Sequence, residues 1–286
     1  MMTAWRSRVQ LWWAIFRVSV EERLVYRGDF AFGTLMRFLP MLTQIFLWWA
    51  IFDAMAAQPG ETSDVNAIRI KGYNLHDMIA YMLLVMLARA FSSMPGLTSG
   101  IAGSIQKGEV KKFLIQPVDM LGSLLLQRIA HKLVYYLIAI GPFALVFFLC
   151  RSFFDAGFPP PDQLLGLALA LIGSFLLGFA MEACLGLVAF WLLEVTSLAF
   201  IFMLLSFFLS GHMFPLDLMP APLDWMIGLL PFQYLAYFPS AVALGKISGN
   251  ELVWGLVIQF AWVAGFWILC RILWTRGLVR YGGYGG

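Results

Sequence analysis

Three histidines (His76, His131 and His212) and three cysteines (Cys150, Cys184 and Cys270) are the residue types in this chain best suited to metal binding or nucleophilic chemistry. Their spacing argues against both. No CxxC or Cys/His pair occurs, and the cysteines lie in or beside apolar runs, where a thiol packs as a small apolar group. The histidines fall near the edges of different apolar segments, so no simple packing gathers them around one metal. A membrane-embedded enzyme would need His, Asp, Ser or Cys side chains converging within reach of one another, and none is evident. The GxxxxGK[ST] phosphate loop is missing too. The chain is therefore not expected to hydrolyse ATP alone, to act as an enzyme or to hold a cofactor of its own.

Two isolated charges carry more information. Arg89 is the one charged residue in 78–106, and Glu182 is the one in 163–193. An ionisable group at membrane depth is a functional candidate by default. Arg89 is suited to contacting a substrate headgroup or to pairing with Glu182 or Glu194. The competing readings are structural. Arg89 can snorkel to the interface or form an ion pair, and Glu182 can be a protonated or paired carboxylate. Glu194, at a tight turn, is expected to be solvated.

The elements that position these charges follow from composition. The 286 residues are 61% hydrophobic and 12% charged, with a mean hydropathy of +0.82. A soluble domain has about a quarter charged residues, so this is a polytopic membrane protein with room for roughly six or seven spans. No sizeable soluble domain fits, and a net charge of +3 does not point to nucleic acid. The N-terminal "LWWAIF" is too short for a signal peptide and is followed by Arg17, Glu21, Glu22 and Arg23.

Uncharged stretches place spans at about 30–55, 74–99, 122–150, 163–191, 196–214 and 251–274, with no internal repeat. A seventh candidate, 225–245, decides the topology. If it does not span, thirteen basic residues fall on one face: five between Arg6 and Arg27, five between Lys107 and Lys132, and Arg271, Arg276 and Arg280. Arg69, Lys71, Arg151 and Lys246 fall on the other. If it does span, the bias weakens to ten against seven. The positive-inside rule favours the first choice, with both termini cytosolic. Pro231 and Pro239 each remove a helix hydrogen bond, and Gln233 and Ser240 are polar. The reading is therefore an all-α membrane protein of six transmembrane helices, with 215–248 as an outer re-entrant hairpin of two short helices broken near Pro231. Residues 3–28 are expected to form an interfacial helix, with Trp5, Val9, Trp12, Phe16, Val20 and Leu24 on one face. An ordinary juxtamembrane segment is the alternative. The tail "YGGYGG" is expected to be disordered.

The longest cytosolic connection, "SGIAGSIQKGEVKKFLIQPVDMLGSLLLQR", runs from Ser99 to Arg128. Val110, Phe113 and Leu114 can share one face beside Lys111 and Lys112. Gly103 and Gly108 permit tight turns, and Pro117 ends the piece. Such a short helix can dock into a cytosolic partner or be a solvated loop.

This segment resembles the Gly-Glu, Leu-x-x-Pro cytosolic loop of permeases in type-2 ABC exporters. "SGHMFPLDLMPAPLDWMIGLLPFQYL" resembles the same family's Ser-Gly, Phe-Pro, Met-Pro, Pro-Phe/Leu signature after the fifth span. The resemblance covers essentially the whole chain, read as one transmembrane domain over 1–286 in a bacterial plasma membrane. It implies a coupling helix within 101–119, carried by Gln106, Lys107, Gly108, Glu109, Lys111, Phe113 and Pro117, against a separate ATP-binding subunit that holds ATP and Mg. It implies an outer gate at Gly211, Phe214, Pro215 and Pro231, and spans two and five lining the interface of two permease halves. The second half would be another copy or a sibling chain. The subgroup it resembles includes bacterial permeases linked to drug-like organic cations. The substrate class stays open among hydrophobic or amphipathic drug-like cations, lipids and glycans. An ATP-independent carrier or channel is the alternative, and would usually carry several midplane acids or a broken span.

Overall fold

The computed structural model describes residues 2–24, 27–58, 64–116, 118–154, 160–192 and 194–281. Pro117 and most of the glycine-rich tail lie outside the described residues. In chain order the helices are α1 (Met2–Leu24), α2 (Arg27–Ala56), α3 (Leu75–Ser92), α4 (Leu97–Gln106), α5 (Lys111–Ile115), α6 (Met120–Leu149), α7 (Pro161–Leu187), α8 (Thr196–Leu209), α9 (Leu223–Gly228), α10 (Tyr237–Ala243) and α11 (Gly249–Arg280). Among the described residues there is no β-strand, as expected where lipid offers backbone groups no partners and each segment must satisfy its own.

Among the described residues five stretches are long and apolar enough to cross a membrane: Phe32–Ala56, Leu75–Gln106, Met120–Leu149, Pro161–Phe190 and Gly249–Arg280. Two departures from the sequence reading stand out. The second stretch does not end near residue 99. It breaks at Ser93–Gly96, where Pro95 has no N–H to donate and Gly96 takes a left-handed φ of 73°, then resumes as α4. Residues 101–106, expected to begin a cytosolic loop, are therefore helix. The expected fifth span is shorter than a span. Helix α8 has 14 residues, and the chain turns at Ser210–Gly211, where Gly211 has φ 79°.

The chain divides into two compact units, Met1–Leu39 with Gly108–Leu149, and Pro40–Lys107 with Cys150–Gly286. In the first unit α1 packs against α6. Trp12, Phe16 and Val20 are half-buried, whereas Arg17 and Glu21 face solvent and pair at 2.8 Å. The amphipathic face read from the sequence holds for these side chains; those of Trp5, Val9 and Leu24 lie outside the described ones. Phe38 meets Phe143 edge-on at 5.4 Å, and the Arg37 guanidinium lies over the Tyr135 ring at 5.4 Å.

The second unit is organised around α7. Leu177, Phe179 and Ala180 are fully buried, with α3, α4, α10 and α11 packed around the helix. Ala170, Leu177 and Met181 share a core with Tyr234, Leu235, Phe238, Val242 and Leu252. On α11, Trp254 and Ile268 remain exposed, as suits a lipid-facing helix. The start of α3 is set by a capping box in which Asp77 N–H donates to Asn74 Oδ1 at 2.6 Å and Asn74 N–H to Asp77 Oδ2 at 3.4 Å.

One close approach is critical. A Cβ on Gly178 would collide with the Ser92 carbonyl oxygen at the end of α3. Substituting Gly178→Val should therefore cost about 1–3 kcal/mol through overpacking and lower the melting temperature in detergent. Gly265→Ala on α11, where a Cβ meets nothing within 4 Å, should be neutral or stabilising in the same assay.

Candidate transport and coupling sites

The segment expected to couple is built from a helix end and a short turn. In the second unit, α4 closes at Gln106, and the Lys107 N–H returns to Gly103 O at 2.9 Å. Gln106 shares a cavity of about 410 Å³ with Phe190, Trp191, Arg280 and Tyr281, so the ends of α4 and α11 open at the same place. In the first unit, Gly108 takes φ 74° and leads into α5. Val110 is buried and Phe113 half-buried, while Glu109, Lys111 and Lys112 are exposed. Lys112 Nζ lies 3.6 Å from Glu109 Oε2 and 5.2 Å from the Phe113 ring centre. The apolar face expected from Val110, Phe113 and Leu114 is thus split. Leu114 and Ile115 are 54% and 84% exposed, and Ile115 was not singled out by the sequence pattern.

Arg89 and Glu182 meet the break between α3 and α4 from its two sides. Arg89 lies in the last turn of α3. Glu182, on α7, accepts the Met94 N–H through Oε1 at 3.3 Å, and its Oε2 lies 3.5 Å from Thr98 Oγ1. The break splits one helix dipole into two. The cation sits at the negative end of α3 and the carboxylate at the positive end of α4, each placement being favourable. The two charges interact electrostatically, but among the described residues Arg89 makes no hydrogen bond or ion pair.

The expected outer-gate residues lie at the other end of α3. The Tyr81 hydroxyl donates to Gly211 O at 2.6 Å. A Cβ on Gly211 would sit 2.6 Å from that hydroxyl and 2.7 Å from Tyr237 Cβ, so both the left-handed φ and the space require glycine. Phe214 is half-buried, Pro215 and Pro231 are buried, and Pro231 opens a short 3-10 turn, Pro231–Leu235. A polar clamp that the sequence did not reveal ties this region down. Asp217 accepts the Tyr73 hydroxyl at 2.7 Å and the Tyr237 hydroxyl. Lys71 Nζ donates to Asp217 O at 2.9 Å and Met219 O at 2.8 Å. Lys246 Nζ reaches Asp77 Oδ2 at 3.3 Å and lies 4.6 Å from the Tyr73 ring centre. Burial, and then the hydrogen bond to Asp217, push the Tyr73 pKa well up, so this phenol stays a donor. The sequence offered two lysines and two aspartates here with no spacing to pair them, and the contacts of Lys71 and Tyr73 with Asp217 span more than a hundred residues.

Among the described residues no group of three or more His, Cys, Asp or Glu side chains could hold a metal. Cys184 and Cys270, far apart in sequence, meet with their sulfurs 3.0 Å apart as free buried thiols.

Replacing Asp217 with Ala should strand the buried Tyr73 hydroxyl and cost about 1–3 kcal/mol. In a double-mutant cycle with Tyr73→Phe, thermal melting should report a coupling of at least about 0.5 kcal/mol.

Residues 38–285 match the family model described as ABC-2 family transporter protein. No curated protein matches the chain. The family match covers most of the sequence and all five long apolar stretches except the first residues of α2. The chain therefore belongs to the ABC-2 transporter family, as a multi-pass membrane permease.

Proposed function

We propose that this chain is the membrane-spanning subunit of an ATP-binding cassette exporter in a bacterial plasma membrane. It forms half of a translocation path and is driven by a separate ATPase subunit. A second permease, identical or homologous, completes the path. ATP and Mg belong on the partner, and this chain contributes no catalytic residue. The cargo is a hydrophobic or amphipathic compound. The observation that carries this reading is the small α5 tip of an ABC-2 family chain, where exposed Leu114 and Ile115 stand beside Lys111 and Glu109. An apolar centre rimmed by charge is what a partner's groove recognises.

The topology we propose has six spans, with α8 and the turn after it as the fifth, and both termini cytosolic. Residues 215–248 form the outer re-entrant hairpin. Two observations support it. Gln106 and Arg280, both expected on the cytosolic side, line one cavity of the second unit. The hairpin region is tied through Asp217 and Lys246 to the opposite end of α3. The helices α9 and α10 are short and flank a 3-10 turn at Pro231–Leu235, which supports the hairpin reading.

A second reading draws on one observation. The broken α3–α4 span with a carboxylate at the break resembles the discontinuous helices of ATP-independent carriers. Purification decides between them. Tagged chain isolated in mild detergent should bring down an ATPase, whereas transport driven by a proton gradient without one would favour the carrier.

Two further outcomes are expected. Ile115→Asp should weaken ATPase co-purification roughly tenfold, equivalent to a contact of about 1.4 kcal/mol. Glu109→Ala combined with Lys111→Ala should lower stimulated ATP hydrolysis in the complex while leaving the permease folded. A cysteine at Asp217 should react with an impermeant thiol reagent from outside, and one at Lys111 should not; the reverse pattern overturns the topology.

A further inference from the structure

A phosphate is held best by a guanidinium with donors to spare, and a cationic nitrogen by carbonyl oxygens or aromatic faces. One cavity of the second unit offers both. It encloses about 410 Å³, its walls include Gln106, Phe190, Trp191, Arg280 and Tyr281, and none of the residues lining it is acidic. That volume is in the range of small-molecule sites. Three of the long apolar stretches terminate here, at Gln106, Phe190 and Arg280. The cavity therefore opens where the chain leaves hydrocarbon for the headgroup layer. Its tryptophan and tyrosine are the residue types usual at that depth.

The lining holds open groups of both kinds. Arg280, in the last turn of α11, is exposed and makes no ion pair among the described residues. The Tyr281 hydroxyl oxygen is buried with no hydrogen-bond partner among them, and such an atom calls for one. Helix α4 ends at Gln106 and α11 at Arg280. Each leaves carbonyls at this end without helical partners, carrying partial negative charge. A bare anion would gain the guanidinium but face these carbonyls, and a bare cation would meet the reverse conflict. The aromatic wall is fixed in place. Phe190 meets Trp191, Trp274 and Tyr281 edge-on, with ring centres 6.2, 5.9 and 6.0 Å away, and a Cβ on Gly277 would run into the Phe190 ring.

We propose that this cavity binds the zwitterionic headgroup of an aminophospholipid. The phosphate takes the Arg280 guanidinium and the Gln106 amide. The primary ammonium turns toward the carbonyl ends and the rings of Trp191 and Tyr281. Two phosphate oxygens match the guanidinium fork, and a primary ammonium keeps N–H donors for the carbonyls and the Tyr281 hydroxyl. The acyl chains lie along α11, where Ile268, Ile272 and Val279 are exposed at spacings of four and seven that place them on one helical face. The assignment needs the chain to lie in a membrane, and it goes beyond the exporter reading because it does not depend on what is exported.

The test uses the full-length chain in dodecyl maltoside, stripped of native lipid, with bound lipid counted by native mass spectrometry. Four lipids with the same dimyristoyl chains are titrated separately: phosphatidylethanolamine, phosphatidic acid, a trimethylammonium lipid and diacylglycerol. Saturable binding of phosphatidylethanolamine is expected, roughly tenfold tighter than diacylglycerol and also tighter than the two lipids that carry a single charge type. Arg280→Gln should weaken it roughly tenfold, and Arg280→Lys should retain part because a point charge replaces the fork. Arg276→Gln, one turn earlier and outside the cavity lining, should leave it unchanged. Equal binding of the four lipids, a preference for phosphatidic acid or the cationic lipid, or equal losses in Arg276→Gln and Arg280→Gln would overturn the proposal. Water-soluble O-phosphoethanolamine should not displace the lipid at matching concentration. If it does, the ligand is a soluble zwitterion and the lipid assignment is overturned. If Arg280→Gln does not fold, the order of the four lipids and its weakening in Arg280→Lys decide, and absence of either overturns the proposal. Because binding is read on the permease alone, failure to find a partner ATPase would defeat the exporter reading without bearing on this result, and the converse also holds.

Discussion

The second unit depends on how one face of α7 meets an interrupted helix. Gly178, Glu182 and Gly186 are spaced four residues apart and so lie along one stripe. The first clears room for the Ser92 carbonyl, the second takes up the Met94 N–H, and the third lies against Ile101 and the Thr98 carbonyl. An apolar layer tolerates non-helical backbone only where protein surrounds it. The stripe supplies that surrounding. Glycine allows backbone to approach backbone, and the carboxylate satisfies a donor that Pro95 and Gly96 leave outside regular helix. Without α7 at this distance the break would be a liability, and with it the break becomes a fixed joint between α3 and α4.

From that joint the two ends of the unit acquire different characters. At one end α4 delivers Gln106 to a cavity it shares with the close of α11. At the other, the start of α3 is capped by its own Asn74–Asp77 pair and then roofed by the segment after α8 through tyrosine, lysine and aspartate contacts. The roof is held by hydrogen bonds to main-chain carbonyls and to two carboxylates, Asp217 and Asp77, at its outer side, and by the apolar side chains of Tyr234, Leu235, Phe238 and Val242 beneath.

Much of this was legible in the residue order because membranes impose a simple code. Long uncharged runs marked α2, α6 and α7 to within a few residues, α11 continues past the expected end near 274 to Arg280, and the prolines at 231 and 239 marked a segment of short helices. Arg89 and Glu182 stood out as lone charges, but their relation to the α3–α4 break did not. Pro95–Gly96 was a visible signal, overridden by the continuous hydropathy on both sides. The end of α8 was misplaced for a similar reason, since "FFLSGHMF" stays apolar enough to extend a span on paper while Gly211 turns the backbone. The Tyr73–Asp217–Tyr237 clamp and the Cys184–Cys270 contact were invisible because each joins residues that only tertiary packing brings together. Ile115 was passed over because five residues are too few for periodicity to assign a face.

The short α8 has a consequence for the lipid around it. Fourteen residues rise roughly 21 Å, against a hydrocarbon layer of about 30 Å. If this helix crosses as proposed, the bilayer beside it must thin locally, or the polar turn at Ser210 must sit below the headgroups in the shelter of the protein. Each ångström of mismatch costs a fraction of a kcal/mol. Acyl-chain length then becomes a variable of the protein's own conformational balance. Short-chain bilayers favour a fully crossing α8, and thick ones penalise it, so the host membrane is a structural component of this permease as well as its surroundings.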